Sequence, residues 1–215
     1  MGCGRGTTLQ YLSKHTAFTL YGTEPDAKLL VAARIACPSA SLVSTCGELI
    51  PFEDGSFDAV LIECVFSLAE SPVSIASEVS RVVRRQGILL LTDLYTQGET
   101  DLLIEQTPVA GSPIAESPVA ESPVSGLPAT ELPVAGSPVA YDPLLRHIYT
   151  KRSIDAYFTK SGFTAERFLD CTRDMQSMFA QMILDGSADS YIDAAARKGL
   201  YDAKAGYGIW IYKKI

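Results

Sequence analysis

Three observations place the sequence in the α/β class, as a doubly wound, mostly parallel sheet. Apolar runs without alternation at residues 59–62 and 88–91 suit strands buried on both faces. Helical patterns stand between these and other short apolar runs, as in repeated strand–helix units. Gly2, Gly4 and Gly6 stand at alternate positions ahead of Thr7, Thr8 and a helical pattern, which reads as a tight turn feeding a helix N-terminus.

The elements follow in order. A short helix is expected at 9–15, a strand at 18–21, and a second helix at 25–36 with Leu29, Leu30 and Ala33 on one face. Residues 41–44 make a small strand. In 51–62 an Asp54-Gly55 turn separates Pro51-Phe52 from the apolar run that ends at Ile62. Ser71 caps a helix with Pro72 at its first position, Ile75, Val79 and Val82 form its buried face, and Gly87 is expected to stop it. The next strand, 88–95, ends in polar and aromatic groups, where a parallel sheet presents its ligand edge.

The pattern breaks at 107–141, where a pentad of the form Ser-Pro-Val-Ala-Glu or a close variant recurs and holds seven of the 12 prolines. Proline at every fifth position removes amide donors and biases each preceding residue toward extended backbone, so a disordered, linker-like insert is expected there. It divides the chain into 1–106, the insert and 142–215, the first and last forming one domain. After it, Thr150 precedes a helix with Ile154, Tyr157 and Phe158 on one face, Gly162 ends that helix, and 163–169 reads as a strand. Helices are expected at 174–184 and 188–198 and a last strand at 207–212. Met175, Met178, Phe179 and Met182 read as core packing.

With 215 residues, 47% of them hydrophobic, the chain suffices for one ordinary core. The formal net charge of −7, with no Lys/Arg-rich run, argues against a nucleic-acid partner held through phosphates. Five cysteines, Cys3, Cys37, Cys46, Cys64 and Cys171, are scattered without a Cys-x-x-Cys pair, so no metal site is expected and they read as reduced thiols of a cytoplasmic protein. No apolar run is long enough to span a bilayer, so no membrane partner is expected. Oligomeric state is not legible.

Glu24, at the end of the run that follows the glycine turn, stands where a nucleoside-binding βαβ unit places a carboxylate for ribose hydroxyls. Together with Glu24-Pro25-Asp26 and the segment Pro51-Phe52-Glu53-Asp54-Gly55-Ser56-Phe57-Asp58, the Gly-Cys-Gly-Arg-Gly turn resembles the class I S-adenosylmethionine-dependent methyltransferases, in particular the small-molecule group called type 11. The resemblance is densest over residues 1–95. It implies a Rossmann-like sheet, S-adenosylmethionine as cofactor, and transfer of a methyl group to a small-molecule substrate by in-line displacement. It assigns Gly2, Gly4 and Gly6 to the methionine part of the cofactor, Glu24 to the ribose and Cys46-Gly47-Glu48 to the adenine; Cys3 and Pro25 join the expected cofactor-binding set, as do Glu63 and Cys64, placed by position near the methyl.

Glu63 either orients the cofactor amine or acts as a base, and Tyr95 is the second catalytic candidate. Asp93, His147 and Tyr149 are further candidates by position, while Cys64 also reads as core packing. Two departures stand out. Cys46 occupies the place of the family's usual Asp, and the family's first strand, which precedes the glycine turn at the centre of the sheet, does not precede Met1 here. A sheet of this kind either closes the neighbouring strands together or leaves a gap between them. A non-catalytic methyltransferase-like protein and a nicotinamide-binding oxidoreductase are the alternative readings; the second leaves the 51–58 segment unexplained.

Overall fold

A computed structural model of the chain describes residues 1–103, 147–184, 200 and 204–215. The pentad insert, the domain limits drawn around it and the helix expected at 188–198 lie outside these residues.

Gly6, in the left-handed region at φ 79°, opens α1 (Thr7–His15) without a side-chain cap. A β carbon on Gly6 would stand 2.9 Å from the Ala33 Cα, so glycine is what lets this turn lie against α2 (Ala27–Ala36). Asp26 caps α2 by accepting from the amides of Lys28 and Leu29, which puts the helix start after Pro25 rather than at it. Leu9, Leu30, Ala33 and Cys37 are buried in this part of the molecule. β1 (Tyr21–Thr23) pairs in parallel with β2 (Ser41–Val43). The strand begins later than expected: Phe18 is 70% exposed, and burial starts at Gly22.

β3 (Phe57–Glu63) runs parallel to β4 (Val83–Thr96), the two connected through a 3₁₀ turn (Phe66–Leu68) and α3 (Pro72–Val82). Ser71 caps α3 through the Ser74 amide, as expected. The helix stops at Val82 rather than Gly87, because Val83 is already extended and enters the strand. Gly87 instead permits close approach, since a β carbon there would meet the Asp58 carbonyl oxygen at 2.9 Å, beside the register shift between Phe57 and Ala59. A short antiparallel pair, β5 (Leu102–Leu103) and β6 (His147–Ile148), precedes α4 (Lys151–Lys160), which is capped by Thr150.

β7 (Phe163–Asp170), α5 (Thr172–Leu184) and β8 (Ala205–Lys214) complete the described elements. β8 lies between β4 and β7 and is antiparallel to both, giving the order β3-β4-β8-β7. Among the described residues the sheet is therefore mixed, parallel in its first half and antiparallel in its second.

The core lies on one face of this sheet, where Leu89, Leu91, Trp210 and Tyr212 pack with Ile62, Phe66, Ile75, Val79 and Phe158. Two expectations are corrected here. β3 is an edge of the four-stranded sheet, so Ile62 is buried but Ala59 is exposed; its unbroken apolar run is not covered on both faces. The methionine stripe is not core either. α5 packs beside β8 through Thr172, leaving Met178 52% exposed and Met175, Phe179 and Met182 half-buried.

β1 and β3 do not pair. Between them the Met1 nitrogen donates to the Leu61 carbonyl at 2.7 Å and the Cys3 amide donates to the Thr23 carbonyl at 2.9 Å. A cleft between the two strands is lined by Met1, Gly22, Ile50, Ala59, Val60 and Val82. Tyr21, Phe52 and Phe57, also in its wall, meet edge-to-face with ring centroids 5.0–5.5 Å apart. Of the two arrangements considered from the sequence, the strands therefore stand apart. Arg81 straps the 50–54 loop to α3: its guanidinium donates to the carbonyls of Ile50 and Phe52, each at 2.7 Å, to both Glu78 oxygens at 2.8 Å and to Asp54 at 2.9 Å. Hydrogen bonds from Arg81 hold the Glu78 carboxyl below its ordinary value, and Glu78 also accepts from the Ile50 amide.

Candidate active site

The glycine turn takes the conformation that its composition suggests. Gly2, Gly4 and Gly6 lie at φ 64°, 53° and 79°, and the Gly6 amide closes the turn on the Cys3 carbonyl at 2.8 Å. The three glycines serve different ends. A β carbon on Gly2 would overlap the Val65 side chain and one on Gly6 would press on Ala33, whereas at Gly4 there is nothing within 4 Å. Gly4 therefore presents bare backbone to open space. Cys3 turns its thiol inward, 3.1 Å from the β-carbon position of Gly22, and burial pushes that thiol up.

Glu24 stands directly under the turn. Its carboxylate accepts from the Gly4 amide at 2.9 Å and the Asp26 amide at 3.0 Å, so one buried side chain joins the glycine turn to the N-terminus of α2. Each carboxylate oxygen keeps a second lone pair for a further donor. Pro25 is exposed beside it.

Glu63 and Cys64 end β3 next to the turn. Glu63 is exposed. Cys64 is left-handed at φ 52°, its amide donates to the Thr92 carbonyl at 2.8 Å, and its thiol lies 3.5 Å from the Tyr207 hydroxyl. Beneath, the buried Asp93 carboxylate accepts from the amides of Ser67 and Leu94 at 3.0 and 2.7 Å. Burial holds the Asp93 carboxyl above its usual range despite these donors. Cys46-Gly47-Glu48 adjoins on the far side. A β carbon on Gly47 would touch the Met1 side chain, Glu48 accepts from the Glu70 amide at 3.2 Å, and Cys46 is exposed.

The sequence-derived cofactor residues thus lie around the turn, whereas Tyr95 and the pair His147 and Tyr149 are engaged elsewhere. Tyr95 is packed in the core, edge-to-face with Phe168 and Trp210, and bonds to Asp170, so its hydroxyl is directed away from the glycine turn. Its position at the end of a strand was correct, but strand alternation puts its ring on the core face with Leu89 and Leu91. His147 stacks on Tyr149 with ring centroids 5.2 Å apart, and its Nδ1 is buried with no hydrogen-bond partner among the described residues. Thr92 and Tyr207 were missed. Tyr207 alternates with Trp210 and Tyr212 along its strand, which fixes its face, but nothing local reveals that this strand lies beside β4.

Residues 1–91 match the model of the family described as "Methyltransferase domain". That match takes in less than half of the chain. An uncharacterized methyltransferase of Synechocystis sp. is 37% identical over 97 residues, which are 43% of this chain and 44% of that protein. The chain thus spans less than half the length of the curated relative it matches. Over the whole chain the similarity is one of fold. Geranyl diphosphate C-methyltransferase from Streptomyces coelicolor A3(2), solved with Mg2+, geranyl diphosphate and S-adenosyl-L-homocysteine, superposes with TM-score 0.68 at 13% identity, covering 100% of this chain and 69% of that one. The cyclase SpnF superposes with TM-score 0.64 at 17% identity over 99% and 73% of the two chains. The chain therefore shares a Rossmann-like fold with these proteins, one described as a methyltransferase and one as a cyclase. Among the described residues no helix is long and apolar enough to cross a membrane.

Proposed function

We propose that the methyltransferase domain binds S-adenosylmethionine and transfers its methyl group to a small-molecule acceptor. The observation that carries this reading is the joint between Glu24 and the glycine turn, in which a buried carboxylate holds the Gly4 amide while the space beyond Gly4 stays open. Bare left-handed backbone suits close approach by a ligand, and the free lone pairs of Glu24 suit a pair of ribose hydroxyls. Gly2, Gly4 and Gly6 would hold the methionine part and Cys46-Gly47-Glu48 the adenine. The exposed Cys46 offers a poorer acceptor than a carboxylate for an adenine amine.

When bound, the cofactor supplies a methyl group already activated on a positively charged sulfur, which passes in line to the acceptor nucleophile as the sulfur recovers its electron pair. The chain's own contribution is alignment and exclusion of water. Glu63, exposed at the end of β3, is placed to orient an ammonium or to receive the proton that the acceptor gives up. Tyr95, engaged in the core, takes no part.

Calorimetry with S-adenosylhomocysteine tests the reading. Glu24→Ala should lower affinity at least about tenfold, because charge-assisted hydrogen bonds worth roughly 1.5–3 kcal/mol each are lost. Unchanged affinity would refute the ribose assignment. A non-catalytic reading is favoured by Cys46, and it predicts binding without methyl transfer to any acceptor.

A further inference from the structure

The left-handed backbone of Cys64 is the one strained feature at the site that its own residue type does not explain. Glycines adopt such angles freely, and other L-residues do so at a cost that surrounding structure must offset. The surroundings at Cys64 come from two other strands. Its amide is fixed by the Thr92 carbonyl at 2.8 Å, and its thiol lies 3.5 Å from the Tyr207 hydroxyl. The Tyr207 hydroxyl donates its proton to the Thr92 Oγ1 at 2.9 Å, so the thiol is the donor in the contact with Tyr207. Tyr207 is itself held on β8, where its amide donates to the Thr172 Oγ1 and its carbonyl accepts from the Cys171 amide. Val65, the next residue after Cys64, fills the space that a β carbon on Gly2 would need.

We propose that Tyr207 is a positioning residue of the candidate active site: it clamps Thr92 and Cys64 together and so sets the step from Cys64 to Val65 against the glycine turn. The inference rests on the reading of that turn as the cofactor site. Tyr207 acts through its neighbours, and the polar line runs from β8 across β4 to the end of β3 without a charged group.

A double-mutant cycle tests it, read by S-adenosylhomocysteine affinity and by amide hydrogen exchange at residue 64. Tyr207→Phe keeps the ring and removes only the hydroxyl. It should lower affinity about three- to tenfold and speed exchange at residue 64 by about tenfold, since the left-handed conformer loses its support. In the Cys64→Gly background, where residue 64 needs no support, the same Tyr207→Phe change should alter affinity less than about twofold. A merely structural tyrosine would cost the same in both backgrounds, and that result would overturn the proposal, as would unchanged affinity and exchange in the single variant. Should the wild-type chain fail to bind S-adenosylhomocysteine, the cofactor reading falls. Exchange at residue 64 then decides the role of Tyr207 by itself: about tenfold faster supports the clamp, and no change overturns it.

Discussion

From β3 to β7 each strand is bound to its neighbour over much of its length, with β4 and β8 in register from Ile88↔Lys213 to Thr96↔Ala205. β1 and β2, by contrast, share only Tyr21↔Ser41, Gly22↔Leu42 and Thr23↔Val43. The long ladders stand over the aromatic core, whereas the short pair carries the glycine turn and Glu24. What relates the two is a handful of individual bonds: the Met1 nitrogen to Leu61, the Cys3 amide to Thr23, and the Arg81 strap on the 50–54 loop. On the proposed function, stability and ligand chemistry fall to different parts of the molecule, and they should respond differently to substitution.

The largest effect is expected in the long-laddered part. Trp210 is 1% exposed between Tyr95 and Phe168, and Trp210→Ala should cost about 3–5 kcal/mol of stability in urea unfolding. A loss below about 1 kcal/mol would mean that the core does not carry the fold in the way its burial indicates. Next comes the seam. Arg81→Ala frees two backbone carbonyls and Glu78, which should cost about 1–3 kcal/mol, moderated by the partial exposure of the guanidinium. Arg81→Lys should not restore it, because an ammonium cannot reproduce the fork. If the comparison holds, Arg81→Ala also weakens S-adenosylhomocysteine binding, while a core change on α4, such as Ile154→Val, lowers stability by about 0.5–1.5 kcal/mol without weakening that binding.

The smallest effect sharpens the boundary between the two parts. Asp93 holds its proton more tightly in the folded chain than in the unfolded one, because burial raises its carboxyl above the ordinary value. Across the interval from that ordinary value up to the folded one, its contribution to stability falls as pH rises. Asp93→Asn should remove this slope, so the stability of the variant relative to wild type should grow with pH through that window and then level off. Urea midpoints measured from pH 4 upward would show it, and parallel curves for the two proteins would refute it.

Much of this arrangement was legible in the residues. The three left-handed glycines, the Ser71 and Thr150 caps and the place of Glu24 all follow from local chemistry, which acts within a few residues of its cause. What failed depends on neighbours distant in the chain. The apolar run of β3 reads as doubly buried because a sequence does not say which strand is an edge. Tyr95 reads as a site residue because the end of a strand is visible but the side to which its ring turns depends on β8 and β7. Tyr207 escaped notice for the same reason, since its partners Thr92 and Cys64 lie in the other half of the chain.

The position of β8 has a consequence for how the chain acquires its structure during synthesis. Leu89 and Leu91 are made early, yet their sheet partners Tyr212 and Trp210 emerge from the ribosome after more than half of the 215 residues have passed. Until then β4 displays an unpaired apolar edge, the kind of surface that invites pairing with another chain. A chain ending with the family-matched residues 1–91 would leave the β8 side of β4 unpaired, and closure of so non-local a pair is intrinsically slow. The stretch that sequence similarity outlines is therefore smaller than the paired sheet, which is complete only when β8 takes its place between β4 and β7.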